Sequence, residues 1–274
     1  MLYAIEDWDN AYANGPNIPG GERWPAAWVE PAKTFREAMT AQGRARLDIA
    51  YAAGARNRFD LFLPEGAPQG LVVFVHGGYW MALDKSYWSH LAAGAVARGY
   101  AVAMHSYTLC PEVTIPDITR EIGAAVTAAM REVAGPVALT GHSAGGHLVT
   151  RMVSATSPLG AAERARVRHV VSLSGLHDLR PLLRTKMNLK LNLDAASAAA
   201  ESVALLAPIA GARVTAWVGG AERAEFRRQS QLIANVWLGL GAATAYVEAP
   251  DRHHFDVIDA LADPGSALVA TLLG

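Results

Sequence analysis

The sequence contains a single cysteine, Cys110, in a chain of 274 residues. No intrachain disulfide can therefore form, which excludes the small secreted folds that are held together by disulfide frameworks. Because Cys110 stands directly before Pro111, we expect it to be a buried or loop thiol rather than a catalytic nucleophile.

An excess of charge of one sign and long apolar runs are also absent. Lys and Arg number 24 against 25 Asp and Glu, so the net charge is −1 and nucleic acid is not expected as a partner. No uninterrupted apolar run reaches the length that spans a bilayer, and the first residues lack the basic segment and apolar core of a secretory leader. We therefore expect a soluble, cytoplasmic protein with no membrane partner.

Apolar residues are abundant, at 51% of the chain against 18% charged residues, which is enough for a large core. The length suits a single α/β domain over residues 1–274. Residues 1–40 are rich in proline and tryptophan, and they predict an irregular N-terminal arm packed on the domain, with a helix near residues 31–42.

Strand-like and helix-like segments alternate after this arm, which indicates βαβ units and a mostly parallel sheet. Two early strands without an intervening helix predict an antiparallel start. The predicted strands are 45–51, 58–63, 71–75, 100–105, 137–139, 169–173, 214–218 and 243–247. The predicted helices are 84–98, 116–134, 144–154, 194–206, 224–238 and 255–273.

The motif G-H-S-A-G at positions 141–145 lies between an apolar strand and a helix-permissive stretch. That context is typical of the nucleophile elbow of α/β-hydrolases, in which a strained turn lifts a serine hydroxyl out of the sheet edge. The motif predicts Ser143 as the nucleophile, and an ordinary glycine-rich turn is the alternative.

A second motif, H-G-G-Y-W at positions 76–80, follows the continuous apolar run of the third strand. In α/β-hydrolases an H-G-G loop at this place supplies backbone N–H groups to an oxyanion hole. Gly77 and Gly78 are therefore the predicted donors. The adjoining Tyr79 and Trp80 are predicted to line the substrate pocket, and core packing is the alternative for both.

A serine needs a general base and an orienting acid, which follow it in the chain order Ser, Asp or Glu, His. His254 is the predicted base, since it follows the last strand and precedes the final apolar segment, and His253 is the alternative. Glu222 is the predicted acid because it is the first carboxylate after the strand 214–218, and Glu225 follows it. Asp178, after the strand 169–173, is the runner-up.

Together these motifs resemble the kynurenine formamidase (arylformamidase) branch of the α/β-hydrolases. The segments that carry the resemblance are H-G-G-Y-W at 76–80, G-H-S-A-G-G-H-L at 141–148, S-G-L-H-D-L at 174–179, E-F-R-R-Q-S at 225–230 and H-F-D at 254–256. The resemblance implies an α/β-hydrolase fold, with a mostly parallel eight-stranded sheet flanked by helices and no large lid domain. It implies the triad Ser143, His254 and Glu222, although the family usually has Asp at the acid position, and it adds the Ala144 amide to the oxyanion donors.

The expected activity is a serine hydrolase that cleaves an aryl formamide or small amide, such as N-formylkynurenine, through an acyl-enzyme. A small-molecule aryl amide or ester is the expected partner, and a homodimer is allowed but not required. No metal or organic cofactor is expected, because the histidines lack metal-ligand spacing. A short-chain carboxylesterase is the second hypothesis, and a non-catalytic binding protein of the same fold is the third.

Overall fold

The computed structural model describes residues 4–274, so the first three positions of the predicted arm lie outside the described residues. All eight predicted strands are present, with ends that differ by up to three residues from the prediction. The strands are β1 Ala45–Ala50, β2 Arg58–Phe62, β3 Leu71–Val75, β4 Ala101–His105, β5 Val137–His142, β6 Val167–Leu173, β7 Arg213–Gly219 and β8 Ala243–Ala249.

The strands form one sheet in the order β1-β2-β4-β3-β5-β6-β7-β8. β2 pairs antiparallel with both β1 and β4, and all later neighbours are parallel, so the predicted antiparallel start is confirmed. The strand order reverses at β3, which lies between β4 and β5. Ligands bind at such a switch point, outside the carboxyl ends of the strands. The H-G-G loop and Ser143 begin there, directly after β3 and β5.

Ten α-helices lie within residues 4–274. They are α1 Trp8–Tyr12, α2 Trp24–Ala41, α3 Ala93–Ala97, α4 Ile115–Glu132, α5 Ala144–Arg151, α6 Ala161–Arg166, α7 Asn188–Leu191, α8 Ala195–Glu201, α9 Ala224–Gly239 and α10 Ala267–Leu273. None of them is long and apolar enough to cross a membrane.

Three helix predictions need correction. The segment 84–98 contains two short 3₁₀ turns, and only Ala93–Ala97 is α-helical. The segment 255–273 contains a 3₁₀ turn and then α10, because Pro264 and Gly265 break the helix between them. The helix of the arm begins at Trp24 rather than near Pro31, which lies inside α2 on its exposed face, where water can solvate the carbonyl that loses its partner.

Both faces of the sheet are covered by apolar layers. Successive side chains of a strand point to opposite faces, so Val73 packs in one layer with Leu148 of α5, while Phe74 packs in the other with Trp28 of α2. All five residues of β3 are buried, as expected for a central parallel strand. This double covering holds the strand ends, and therefore the loops that follow them, in fixed positions.

Buried histidines give this core a pH dependence. Burial lowers the pKa of five imidazoles from the usual 6.5 to about 4, or about 3 for the last of them: His76, His105, His147, His169 and His177. In the unfolded chain these rings gain protons below pH 6.5, whereas in the folded chain they stay neutral until about pH 4. Above pH 6.5 the rings are neutral in both states, so their low pKa does not affect the free energy of unfolding. As the pH falls from 6.5 toward 4, only the unfolded chain takes up protons, and the folded state loses stability.

We expect these rings to make the protein less stable at pH 5 than at pH 7, with a loss of about 2 kcal/mol for a single ring whose pKa is about 4. Urea unfolding between pH 8 and pH 5 checks this. In His105→Gln the slope of unfolding free energy against pH should fall by about one proton, or about 1.4 kcal/mol per pH unit. A wild-type stability that stays flat from pH 7 to pH 5 would contradict the expectation.

Candidate active site

Ser143 lies in a strained turn between β5 and α5. Its backbone has φ 55° and ψ −117°, a conformation that non-glycine residues rarely adopt. The Ser143 N–H donates to the Leu173 carbonyl of β6 at 2.7 Å, which ties the turn to the neighbouring strand. A Cβ on Gly145 would lie 1.9 Å from the Val75 carbonyl oxygen, so only glycine allows α5 to begin this close to β3. The geometry is that of a nucleophile elbow.

The H-G-G loop at residues 76–80, called the oxyanion loop after its predicted role, passes beside this turn. A Cβ on Gly77 would lie 3.1 Å from the Ser143 Cβ, and Gly78 has φ 105°, which requires glycine. The N–H groups of Gly77, Gly78 and Ala144 donate no hydrogen bond to any residue within 4–274. Ala144 is the first residue of α5, whose N-terminal amides have no partner within the helix. These three N–H groups, which have no acceptor within residues 4–274, therefore stay the predicted donors to an oxyanion.

The His76 ring supports the oxyanion loop from below. It stacks on Tyr107, with ring centroids 4.3 Å apart and an interplanar angle of 8°, and on Trp88 at 5.8 Å. Its Nδ1 donates to the Gly77 carbonyl at 2.6 Å, since a carbonyl can only accept. Burial lowers the pKa of His76 to about 4, so the ring is neutral near pH 7. The first residue of the H-G-G motif thus orients the loop.

Glu222 and His254 meet in the interior beside the elbow. The His254 Nδ1 donates to the Glu222 Oε2 at 2.7 Å. The other carboxylate oxygen, Oε1, accepts from the Ser174 hydroxyl at 2.5 Å and from the Gly219 N–H at 2.8 Å. Because Nδ1 carries the proton, Nε2 is left as the proton-accepting nitrogen of a neutral ring. This tautomer is the one that a general base for a serine requires.

His142 joins the loop of His254 to the strand that leads to Ser143. Its Nε2 donates to the His254 carbonyl at 2.8 Å, and the two rings lie 4.6 Å apart between centroids. Burial, followed by the neighbouring His254, lowers the pKa of His142 well below its usual range. Since His142 directly precedes Ser143, this bond brings the His254 loop to the elbow.

The alternative site residues lie in other pairs. Asp178 forms a bidentate ion pair with Arg180, at 2.9 and 2.8 Å. Glu225 pairs with Arg228 at 2.7 Å and accepts from the Tyr12 hydroxyl. His253 is bonded by its Nδ1 to backbone amides of its own loop. Of the carboxylates considered from the sequence, Glu222 is the one in contact with His254.

Two contacts of the site have no clear signal in the sequence. The Ser174 hydroxyl holds Glu222 from the end of β6, where Ser174 adopts φ 52°. The His142 bond to the base loop joins residues 112 positions apart. A polar residue directly after a buried strand is the only local hint for Ser174, and many loops share it.

The N-terminal arm packs against the loops of the site. Trp24 contacts the His253 ring edge-to-face at 5.0 Å, and Tyr12 contacts Phe226, whose ring lies 4.5 Å from that of His254. The Tyr79 hydroxyl of the oxyanion loop is bonded to arm residues. The arm therefore forms part of the wall around His254.

Trp80 differs from Tyr79 in its surroundings. The indole is fully buried in the core layer of β3 and contacts the His147 ring edge-to-face at 5.3 Å. The structure thus gives Trp80 packing contacts, and its predicted place in a substrate pocket stays a prediction. Within residues 4–274, no group of three or more His, Cys, Asp or Glu side chains could hold a metal ion.

A family model named BD-FAE matches residues 59–210, more than half of the 274 residues, and this range includes the oxyanion loop and Ser143. The chain belongs to the BD-FAE family. The matched range ends at residue 210, so Glu222 and His254 of the BD-FAE protein lie in the C-terminal part of the chain that the family model does not match.

Named relatives support the resemblance seen in the motifs. Kynurenine formamidase from Danio rerio is 26% identical over 256 residues, which cover 90% of this chain and 87% of that protein. The Drosophila melanogaster protein of the same name is 32% identical over 146 residues, 52% of this chain and 45% of that protein. This BD-FAE protein is a kynurenine formamidase-like α/β-hydrolase, as the motifs predicted.

Solved structures give the same fold. A crystal structure from Silicibacter sp. TM1040, which carries a provisional thioesterase name, is 53% identical, with a TM-score of 0.93 over 99% of this chain and 100% of that one. An esterase from Pyrobaculum calidifontis shares the fold at 18% identity, with a TM-score of 0.69 over 92% of this chain and 89% of that one. Together with the named kynurenine formamidases, these structures support a hydrolase, and the hypothesis of a non-catalytic binding protein is set aside.

Proposed function

We propose that this BD-FAE protein is a serine hydrolase that cleaves an aryl formamide or small amide, such as N-formylkynurenine, through the triad Ser143, His254 and Glu222. The observation that supports it best is the 2.7 Å bond from the His254 Nδ1 to Glu222, beside an elbow serine with φ 55°. We further propose that the chain forms a single domain, with the N-terminal arm as part of it.

The reaction follows from these groups. The His254 Nε2 takes the proton of the Ser143 hydroxyl as the Ser143 Oγ attacks the formyl carbon. The N–H groups of Gly77, Gly78 and Ala144 bind the oxyanion, and each donor can contribute about 3 kcal/mol. His254 then gives its proton to the nitrogen, the carbon–nitrogen bond breaks and the amine leaves. Water, activated by the same base, releases formate from Ser143.

Two observations favour a formamide: the name of the relatives, and the large share of this chain that aligns with one of them. The Danio rerio kynurenine formamidase aligns over nearly the whole chain. Aromatic rings surround the proposed base, with Phe226 4.5 Å and Phe255 5.9 Å from the His254 ring, and such rings can contact an aryl group.

Hydrolysis of short acyl esters or thioesters is the second candidate. The Silicibacter structure that carries the provisional thioesterase name is 53% identical over the whole chain. An acyl-enzyme on Ser143 would serve all these substrates, which differ only in the leaving group.

The purified protein should hydrolyse N-formylkynurenine with a higher kcat/KM than 4-nitrophenyl acetate or acetyl-thiocholine, with Ser143→Ala as the control. Ester or thioester turnover without formamide turnover would assign the second candidate instead. Activity that Ser143→Ala retains would contradict the proposed nucleophile.

A further inference from the structure

The turn that carries Glu222 is fixed by backbone contacts. The Glu222 N–H donates to the Gly219 carbonyl at 3.1 Å, and the Ala221 N–H donates to the Arg252 carbonyl at 2.9 Å. A Cβ on Gly219 would lie 2.1 Å from the Arg252 carbonyl oxygen, so only glycine lets this turn approach the loop of His254 so closely. These contacts place the backbone of Glu222, while the direction of its long, flexible side chain depends on contacts to the carboxylate.

The carboxylate of Glu222 has its two oxygens in different roles. Oε2 accepts from the His254 Nδ1 at 2.7 Å. Oε1 accepts from the Ser174 hydroxyl at 2.5 Å and from the Gly219 N–H at 2.8 Å. The two donors on Oε1 therefore determine which way Oε2 faces, and of these two donors the Ser174 hydroxyl is the side-chain one.

Ser174 is held in a strained conformation directly after β6. It is fully buried, its φ is 52°, and its N–H donates to the Trp217 carbonyl of β7 at 2.7 Å. Glycine would adopt this φ without strain, whereas serine rarely does. Residues held in such conformations cluster at functional sites. The side chain that this strain maintains donates its single proton to Glu222.

The loop that begins at Ser174 is also anchored at its far end. The side chain of Gln229, in α9, is fully buried. Its Oε1 accepts from the N–H groups of His177 and Asp178, both at 2.8 Å, and its Nε2 donates to the Asp178 carbonyl at 2.9 Å. Bonds at both ends of the loop keep the Ser174 hydroxyl in a fixed place, as a donor that orients another group requires.

We propose that Ser174 is a positioning residue whose hydroxyl holds the Glu222 carboxylate in the orientation that receives the His254 Nδ1–H. The proposal rests on the proposed triad and deepens it. Without the hydroxyl, Oε1 keeps only the Gly219 N–H, and the carboxylate can rotate so that Oε2 leaves Nδ1. The His254 ring is then less often in the tautomer and orientation that accept the Ser143 proton.

The first test is the loss of the hydroxyl. Ser174 acts on the substrate only through Glu222 and His254, so Ser174→Ala should change turnover rather than binding. We expect kcat to fall by about 10- to 100-fold and KM to stay within about two-fold of the wild-type value. The fall should be similar on N-formylkynurenine and on 4-nitrophenyl acetate, because both need the same base.

A double-mutant cycle separates positioning from a structural role. In Glu222→Ala there is no carboxylate to orient, so adding Ser174→Ala should lower kcat by less than about two-fold more. If Ser174 only supported the fold, its loss would lower kcat by the same factor in both backgrounds.

Two further variants control for stability. Ser174→Gly removes the hydroxyl and relieves the strain at φ 52°, so it should match Ser174→Ala in kcat but unfold at a higher temperature. Ser172→Ala removes another fully buried hydroxyl of the same strand, which lies 3.2 Å from the His177 Nε2, and it should keep wild-type kcat. If Ser174→Ala does not fold, Ser174→Gly gives the result.

The outcomes distinguish this proposal from the proposed function. Wild-type kcat in Ser174→Gly, with Ser143→Ala inactive, would overturn the role of Ser174 alone. Wild-type kcat in Glu222→Ala would overturn the triad acid and this proposal with it. Ester turnover without formamide turnover would overturn only the proposed substrate, and the cycle on 4-nitrophenyl acetate then decides the role of Ser174.

Discussion

Ser143→Ala is expected to lower kcat by about 10⁴-fold or more on every amide and ester substrate, because no acyl-enzyme can form without the hydroxyl. The residual rate should come from the three free amides around the elbow, which can still polarise a bound carbonyl. Steady-state turnover measures the loss, and labelling by a fluorophosphonate, followed by mass spectrometry, locates the reactive serine. A labelled residue other than Ser143 would contradict the assignment.

Two variants control for folding. Ser143→Gly should be as inactive as Ser143→Ala, yet more stable by about 1 kcal/mol, since glycine adopts φ 55° without strain. Thermal unfolding resolves this difference. Ser157→Ala, which removes a hydroxyl that donates to the Met152 carbonyl beyond α5, should keep wild-type turnover.

Glu222→Gln is expected to lower kcat by about 10³- to 10⁴-fold. Three donors converge on the carboxylate: the His254 Nδ1, the Ser174 hydroxyl and the Gly219 N–H. An amide has only one acceptor oxygen, so its NH₂ group would face at least one of these donors. The unfavourable contact with His254 would favour the tautomer that carries its proton on Nε2, and this nitrogen could then no longer accept the proton of Ser143.

Asp178→Asn is the matched control for Glu222→Gln. It removes the charge of the other candidate acid, which is paired with Arg180 at 2.8 Å rather than with a histidine. Activity should therefore fall by no more than a few-fold. The kcat of the two variants on one substrate, measured from pH 6 to pH 9, decides between them. A larger loss in Asp178→Asn than in Glu222→Gln would move the acid to Asp178.

The strands and the two glycine motifs could be predicted because their signals are local. A run such as residues 71–75 is apolar throughout, and both motifs begin where such runs end. The segment 84–98 shows the opposite case. Lys85 is buried there and forms ion pairs with Asp60 of β2 at 2.7 Å and with Asp48 of β1 at 2.8 Å. These contacts with the sheet override the helical pattern of the segment.

The choice among Glu222, Asp178 and Glu225 could not be settled from spacing alone. Each of these carboxylates lies near the carboxyl edge of the sheet, directly after a strand or at the start of a helix. Contacts between residues distant in sequence determine which of them bonds to His254. The contact of Asn14 with Tyr79 joins positions 65 residues apart and has no periodic or motif signal. The composition of such an arm allows it to be recognised in the sequence. The residues that it contacts can be identified only from the three-dimensional structure.

The single thiol gives the molecule a reporter of its own. Cys110 is 4% exposed, burial raises its pKa to about 11, and its N–H donates at 2.8 Å to the carbonyl of Trp80, the last residue of the oxyanion loop. A thiol reagent can react only when this wall of the site opens, because a buried, protonated thiol is inert. The labelling rate of the unmodified protein therefore measures how often the packing around Cys110 opens, and a substrate analogue that stabilises the neighbouring oxyanion loop should slow that rate.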